Sequence, residues 1–369
     1  MKETSRFDLK RMQSNVCSSD DVAVLVRVLA VLLLLVVALS VVSTSTEQKL
    51  WAWSVSSEEE ISYRPPTSLM HNMSDVQLFE HALRVSKLSK YRSRGTPKVA
   101  FMFLAEERIS LTPLWDRYFR GYQGLYSTYI HSSQGDYAVN SVFYKRQIPS
   151  TASDSKSFST IDAARRLLAN ALLDLSNERF VLLSPACIPL FNFSFTYKYL
   201  MSSKYSFVEA FDMPGPGARG RYTPKLAPEV GLSQWRKGTQ WLEVSRRVAL
   251  VVVNDTTVYP KFDRLRSEMI VQHEHYFPTV LTVKAAHIIA NRSITWELWR
   301  SGQFEPVTFG MEDTTEQLLR KINEEHECSH NDKPTAVCFL FARRFAPSAL
   351  WPLLKLAPTS LGFGSRETY

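Results

Sequence analysis

Several short signatures of nucleotide and acyl chemistry are missing from this chain. It has no Gly-x-x-x-x-Gly-Lys-Ser/Thr loop, no Gly-x-Gly-x-x-Gly directly after a strand and no Gly-x-Ser-x-Gly elbow. The commonest phosphate-loop, dinucleotide and serine-hydrolase readings therefore fall away. Cysteine is scarce, four in 369 residues, with no Cys-x-x-Cys pair and no His/Cys spacing that suggests zinc. No dense Lys/Arg run carries interleaved aromatics, so nucleic acid is not an expected partner. There is no internal repeat.

What is present describes a folded, anchored protein. Hydrophobic residues make up 45% and charged residues 22%, values of a globular chain. The net charge of +8 suits an anionic small substrate or the neighbourhood of an anionic membrane equally well. Residues 22–42 are almost wholly Val, Leu and Ala, interrupted by Arg27 near the start, where it can snorkel. This span is close to the roughly 20 residues that cross a bilayer. Lys2, Arg6, Lys10 and Arg11 precede it, and the acidic run Glu58-Glu59-Glu60 follows. The positive-inside rule then leaves 1–21 in the cytosol and sends the rest into the lumen, a type II arrangement. A cleaved signal peptide is the rival, but its apolar core would be unusually long. Sequons at Asn72, Asn192, Asn254 and Asn291 agree with a lumenal body. In that oxidising compartment Cys328 and Cys338 are close enough to close a short disulfide loop, which leaves Cys187 over and buried.

Residues 43–95 are polar, broken by Pro65-Pro66, and read as a stem with a short helix around Val76 to Ser89. The domain is expected to span 96–364. Val99 to Ala105 is a continuous apolar run, the pattern of a strand buried on both faces. Pro113 to Tyr122 reads as a helix, Leu125 to His131 as a second strand, Ile161 to Leu175 as an amphipathic helix capped by Ser159 or Thr160, and Arg179 to Ser184 as a third strand. Phe207-Val208-Glu209 reads as a further strand. The strand–helix–strand order predicts an α/β domain with a parallel or mixed sheet flanked by helices. Ligands in such sheets sit beyond the carboxyl ends of the strands. That rim would gather Ala105 to Glu107, His131-Ser132, Ser184 to Cys187 and the glycine-containing loop Asp212 to Tyr222.

Two segments carry candidate chemistry. In Gln272-His273-Glu274-His275-Tyr276-Phe277-Pro278-Thr279 a lone carboxylate stands between histidines and beside aromatics, a setting for a general base; Glu209 and Asp212 are its rivals. Beyond residue 42 there is no Asp-x-Asp, the motif by which many nucleotide-sugar enzymes hold a divalent metal. Diphosphate charge would then fall to Arg or Lys, and Arg343-Arg344, behind an apolar strand and between aromatics, suit it. No metal site is expected.

The blocks Val99 to Leu104, Arg165 to Asp174, Ser176 to Ser184, Cys187 to Leu190, Ser233 to Gly238, Glu274 to Thr279 and Phe341 to Leu350 together resemble the core-2/I-branching β-1,6-N-acetylglucosaminyltransferase family (glycosyltransferase family 14), in its plant brittle-culm-like branch. The likeness runs from about Pro97 to Gly364. It implies a Rossmann-like nucleotide-sugar domain on a Golgi type II membrane anchor. It implies inverting, metal-independent transfer from a UDP-sugar, N-acetylglucosamine by the family's name, to a glycan or glycoprotein acceptor such as those of the plant cell wall. Glu274 would be the base, Arg343 and Arg344 the diphosphate contact, and Trp296, Trp299 and Lys237 part of the acceptor groove. Ser184-Pro185-Ala186-Cys187 departs from the Ser-Glu-Ser-Cys common in that branch, and the cysteine pair usual before the Glu-His-Tyr block is absent from Phe262 to Val271. These departures motivate a second reading: a weak or inactive glycan-binding scaffold within a Golgi enzyme complex.

Overall fold

A computed structural model describes residues 68–88, 95–132, 136–150, 159–303, 305–324 and 326–364. The expected cytosolic tail, the membrane span at 22–42 and most of the stem lie outside the described residues. Among the described residues no helix is long and apolar enough to cross a membrane.

The first half of the domain runs α1 (Asp75–Leu88), β1 (Lys98–Leu104), α2 (Thr112–Phe119), β2 (Tyr126–His131), α3 (Ser159–Leu172) and β3 (Asn177–Leu183). Helix α1 begins with a reciprocal cap: Gln77 N–H donates to Ser74 Oγ at 3.3 Å and Ser74 N–H to Gln77 Oε1 at 2.9 Å. Its Leu78, Ala82 and Val85 are buried at helical spacing, and Arg166 of α3 grips Asp75 through two bonds of 2.6 and 2.7 Å. This part of the expected stem is thus packed into the domain, whose core already includes Leu69.

Then follow β4 (Ile188–Pro189), α4 (Phe193–Ser202), β5 (Glu243–Ser245), α5 (Arg246–Val253), α6 (Tyr259–Arg264), α7 (Tyr276–Ala285), β6 (Thr295–Glu297), α8 (Glu316–Glu324), β7 (Cys328–His330), β8 (Lys333–Thr335), β9 (Phe341–Arg343) and α9 (Leu350–Leu356). The main sheet has the order β2-β1-β3-β5. Strands β2, β1 and β3 are parallel, and β5 is antiparallel to β3. A smaller sheet has the order β4-β9-β6, and β7 and β8 form a hairpin. The mixed sheet flanked by helices is as the strand–helix–strand pattern anticipated. Phe207 to Glu209 does not become a full strand; Ser206 and Phe207 make only isolated bridges, to Ile289 and Glu243.

The unbroken apolar run of β1 serves two cores, because successive side chains point to opposite faces. Ala100 and Met102 join Tyr129, Phe180 and Leu182 beneath α1, α3, α5 and α7. Val99, Phe101 and Phe103 join the other face with Trp115, Phe119, Phe193 and Phe341. Phe101 lies at the centre of five aromatic neighbours, including Phe119 at 4.9 Å edge-on. Emptying such a site typically costs about 3–5 kcal/mol. Between β3 and β5 the Arg179–Glu243 ion pair is buried, with bonds of 2.7 and 2.6 Å, and two backbone carbonyls, of Ser203 and Tyr205, take the rest of the guanidinium.

Candidate functional site

Register fixes where the site lies. Strand β5 pairs antiparallel with β3, with Val181 opposite Glu243, and Leu182 N–H donates to Leu242 O at 2.9 Å. The chain just before β5, residues 235–241, therefore continues past the carboxyl end of β3. There it meets the segment that carries Glu274.

Glu274 ends a single 3-10 turn, Gln272–Glu274, immediately ahead of α7. The turn is entered through Val271 in the left-handed region, φ 48°. Gln272 is buried and its amide donates back to the carbonyls of Leu265 and Met269, which holds the turn closed. The Glu274 carboxylate, 22% exposed, takes Arg221 Nη1 at 2.9 Å and Lys237 Nζ at 3.2 Å on the same oxygen. Its carbonyl accepts from Gly238 N–H at 2.9 Å.

The flanking histidines are not its charge partners. His275 is fully buried, stacks on Trp235 at 4.3 Å, and donates from Nδ1 to Arg236 O at 2.9 Å. Burial pushes its imidazole down to about 4, with the hydrogen bond to Arg236 opposing and Arg221 assisting. His273 is lowered in the same way by burial. Both are neutral at pH 7, so the field at Glu274 comes from Arg221 and Lys237.

Trp235 organises the approach of Arg221. Its ring lies between His275 and Phe262, and its indole N–H donates to Ala218 O at 3.0 Å. That bond ties down the loop Asp212 to Tyr222, which is also closed by Gly220 N–H to Gly215 O at 2.9 Å. Within the loop Asp212 is engaged by Arg219 through two bonds of 2.6 Å, and that guanidinium lowers its carboxyl. This pairing holds Asp212 within its own loop.

From Glu274 a polar seam leads to the arginines. Gly238 packs so closely on Glu209 that an added Cβ would lie 2.2 Å from the Glu209 carbonyl oxygen. The Glu209 carboxylate accepts from Thr239 N–H at 3.0 Å, and burial, together with nearby Glu297, raises its carboxyl. Glu297 in turn pairs with Arg343, whose guanidinium lies 4.5 Å over the Trp241 ring. The strand-end turn Ser184 to Cys187 closes this seam: Phe345 N–H donates to Ala186 O, and the Cys187 thiol, raised by burial, feels Arg343 and Glu297. Along this seam Glu274 pairs with Arg221 and Lys237, Glu209 accepts from the backbone, and Glu297 pairs with Arg343.

The remaining expected residues divide. Arg343 and Arg344 do not form one clamp; Arg343 turns inward to Glu297, whereas Arg344, 40% exposed, pairs with Glu305 at 2.7 Å. Trp296 is not a groove wall. It is buried in the core against Phe309, because β6 alternates and its neighbours Thr295 and Glu297 occupy the other side. Trp299 is 50% exposed and its indole donates to Glu297 Oε2 at 3.0 Å, so it remains an open platform. Phe211 is exposed beside the loop and Met213 within it. Asn72, Asn254 and Asn291 are exposed. Asn192 is half-buried and caps α4 by accepting from Phe195 N–H at 2.9 Å. Cys328 and Cys338 form a disulfide, and Cys187 is free and buried.

Sequence reasoning missed Arg221, Glu297 and Trp241. Arg221 lies in a loop noted only for its glycines, and no local pattern links it to a carboxylate 53 residues later. Glu297 lay between the two tryptophans that drew attention.

The sequence profile of the core-2/I-branching enzymes matches residues 99–323. Glycosyltransferase BC10 of Oryza sativa subsp. japonica is 35% identical over 312 residues, covering 71% of this chain and 77% of the rice protein. The matched region contains Glu274, Arg221, Lys237, Glu209 and Glu297.

Proposed function

The chain belongs to the core-2/I-branching enzyme family of glycosyltransferases, and on that premise we propose that it transfers a sugar, N-acetylglucosamine, from a UDP-sugar to a glycan or glycoprotein acceptor with inversion and without a metal. The observation that carries the proposal is the setting of Glu274: a carboxylate on a tight turn beyond the strand ends, held by Arg221 and Lys237 next to open aromatic surface.

In this reading the donor lies over the strand ends and the acceptor rests on Trp299. Glu274 takes the proton from the attacking hydroxyl as it closes on the anomeric carbon from the face opposite the UDP. A positioned base of this kind contributes about 10²–10⁴-fold. Arg221 and Lys237 hold the carboxylate in place. Arg344, more exposed than Arg343, exchanges Glu305 for the diphosphate, and Arg343 orders the seam through Glu297. The lack of Asp-x-Asp supports cations rather than a divalent ion in that role. The folded domain works in the Golgi lumen behind an anchor at 22–42. The positive-inside pattern, the sequons and the Cys328–Cys338 disulfide support this location.

The test is a donor screen. A secreted form beginning at Pro65, so that α1 is retained, is incubated with a panel of UDP-sugars in EDTA. We expect UDP release with one donor and its loss by a factor of at least 100 in Glu274→Gln, with donor-dependent thermal stabilisation intact. Unchanged turnover in Glu274→Gln removes Glu274 as the base. Stabilisation by a donor with no release under any acceptor favours the scaffold reading, which the tight pairing of Arg343 with Glu297 also suits.

A further inference from the structure

A cavity of about 560 Å³, within the range typical of small-molecule sites, opens at the edge of the sheet opposite Glu274. Arg117, Arg120 and Lys198 line it together with Tyr122, Phe195 and Phe363, and among the described residues no acidic side chain does. Its place follows from the register. Helix α2 leaves the carboxyl end of β1 and returns, so that Leu125 N–H donates to Tyr122 O and Val99 N–H to Leu125 O, both at 3.1 Å. The Tyr197 hydroxyl donates to Pro97 O at 2.8 Å. The cavity therefore faces the start of β1 and β2. Seven residues of strand, about 20 Å, separate it from the rim that carries the catalytic candidates.

The lining combines two kinds of group. Arg117 is fixed by donating to Leu354 O at 3.1 Å, while Arg120 and Lys198 are exposed at the mouth. The Tyr122 ring is held against Phe193 at 4.6 Å, and the Phe195 ring against Phe191 at 4.6 Å. Guanidinium and ammonium groups pair with carboxylates, and sugars lay their apolar faces on rigid aromatic rings. A simple inorganic anion would use the cations and leave the rings idle; a neutral sugar would do the reverse. We propose that this cavity is a second carbohydrate-binding site, separate from the catalytic rim, for acidic glycans that carry uronate carboxylates. It does not depend on Glu274 being the base.

The experiment titrates the full chain in detergent with a short oligogalacturonate and with the matching neutral oligogalactose. The protein carries Ser194→Ala, which removes the Asn192 sequon without touching the Asn192 cap and keeps an attached glycan out of the cavity. We expect the acidic oligomer to bind at least tenfold more tightly than the neutral one, and the affinity to fall at least tenfold in Lys198→Glu and in Arg120→Glu, each with an unchanged thermal midpoint. Glu274→Gln should leave this binding untouched, which separates the site from the transferase reading. Equal binding of the neutral oligomer overturns the proposal, as does unaltered affinity in both charge-reversed variants. Displacement by equimolar inorganic phosphate would reveal a non-specific anion patch and would also overturn it.

Discussion

Gly238→Ala tests the geometry of the seam more severely than removal of any charged group. Gly238 lies outside the left-handed region, so glycine is needed here for space rather than conformation. A methyl group would stand 2.2 Å from the Glu209 carbonyl oxygen and 2.7 Å from its carbon and Cβ. Ordinary contact needs about 3.5 Å, so the strap must retreat by roughly 1.3 Å (3.5 less 2.2). That strap is held by Phe211 N–H to Lys237 O at 2.8 Å, Lys237 N–H to Phe211 O at 3.0 Å, Gly238 N–H to Glu274 O at 2.9 Å and Thr239 N–H to Glu209 at 3.0 Å. A retreat of that size stretches at least two of these bonds past useful length, at about 1 kcal/mol each, in addition to overpacking strain of about 1–3 kcal/mol. We expect a loss of about 3–5 kcal/mol in urea unfolding, no more than the about 5–15 kcal/mol by which folded domains are stable. The rate should suffer more, because Lys237 and Glu274 both move with the strap, and a misplacement near 1 Å costs about 100-fold. The assay is kcat/KM for donor-dependent UDP release alongside urea melts. Wild-type stability and rate together would refute the close packing. Lost stability with an intact rate would refute the claim that the strap positions Glu274.

The two tryptophans should behave oppositely. Trp296→Ala should destabilise by about 3–5 kcal/mol in chemical unfolding, whereas Trp299→Ala should leave stability within about 0.5 kcal/mol and raise acceptor KM roughly three- to tenfold, the worth of one ring stack. His275 titrates at about 4 when folded against an ordinary value of 6.5. Its contribution is complete above pH 6.5 and is lost as pH falls toward 4, amounting to about 3 kcal/mol. His131, lowered to about 4 mainly by burial, adds loss of the same sign. Urea melts at pH 7.5 and 4.5 should show a smaller difference in His275→Gln than in the wild type, and an identical difference would disprove the assignment. Opening the Cys328–Cys338 loop, separated by 10 residues, by Cys328→Ser with Cys338→Ser should cost about 2.7 kcal/mol of chain entropy, read as a lower unfolding midpoint.

The sequence by itself determined the three parallel strands of the main sheet, though not its antiparallel fourth, β5. The apolar run of β1 and the amphipathic period of α3 leave few ways to bury those side chains, and burial is the dominant driving term. Glu274 was legible for a similar reason: an isolated carboxylate among His, Tyr and Phe is unusual in local composition alone. So was the short disulfide loop, because its partners are near in sequence. Other features depended on separations that no local pattern records. Arg221 meets Glu274 across 53 residues only because Trp235 anchors its loop to Ala218. The inward turn of Arg343 depends on Glu297 and Trp241, which come from different segments. Helix α1, polar enough to pass for a stem, belongs to the domain because Asp75 finds Arg166 and Leu78 finds the α3 face. Trp296 and Trp299 are three residues apart and chemically alike, so their sequence gives both the same promise. The pleat of β6 buries Trp296, whereas Trp299 lies two residues past the end of that strand and stays open.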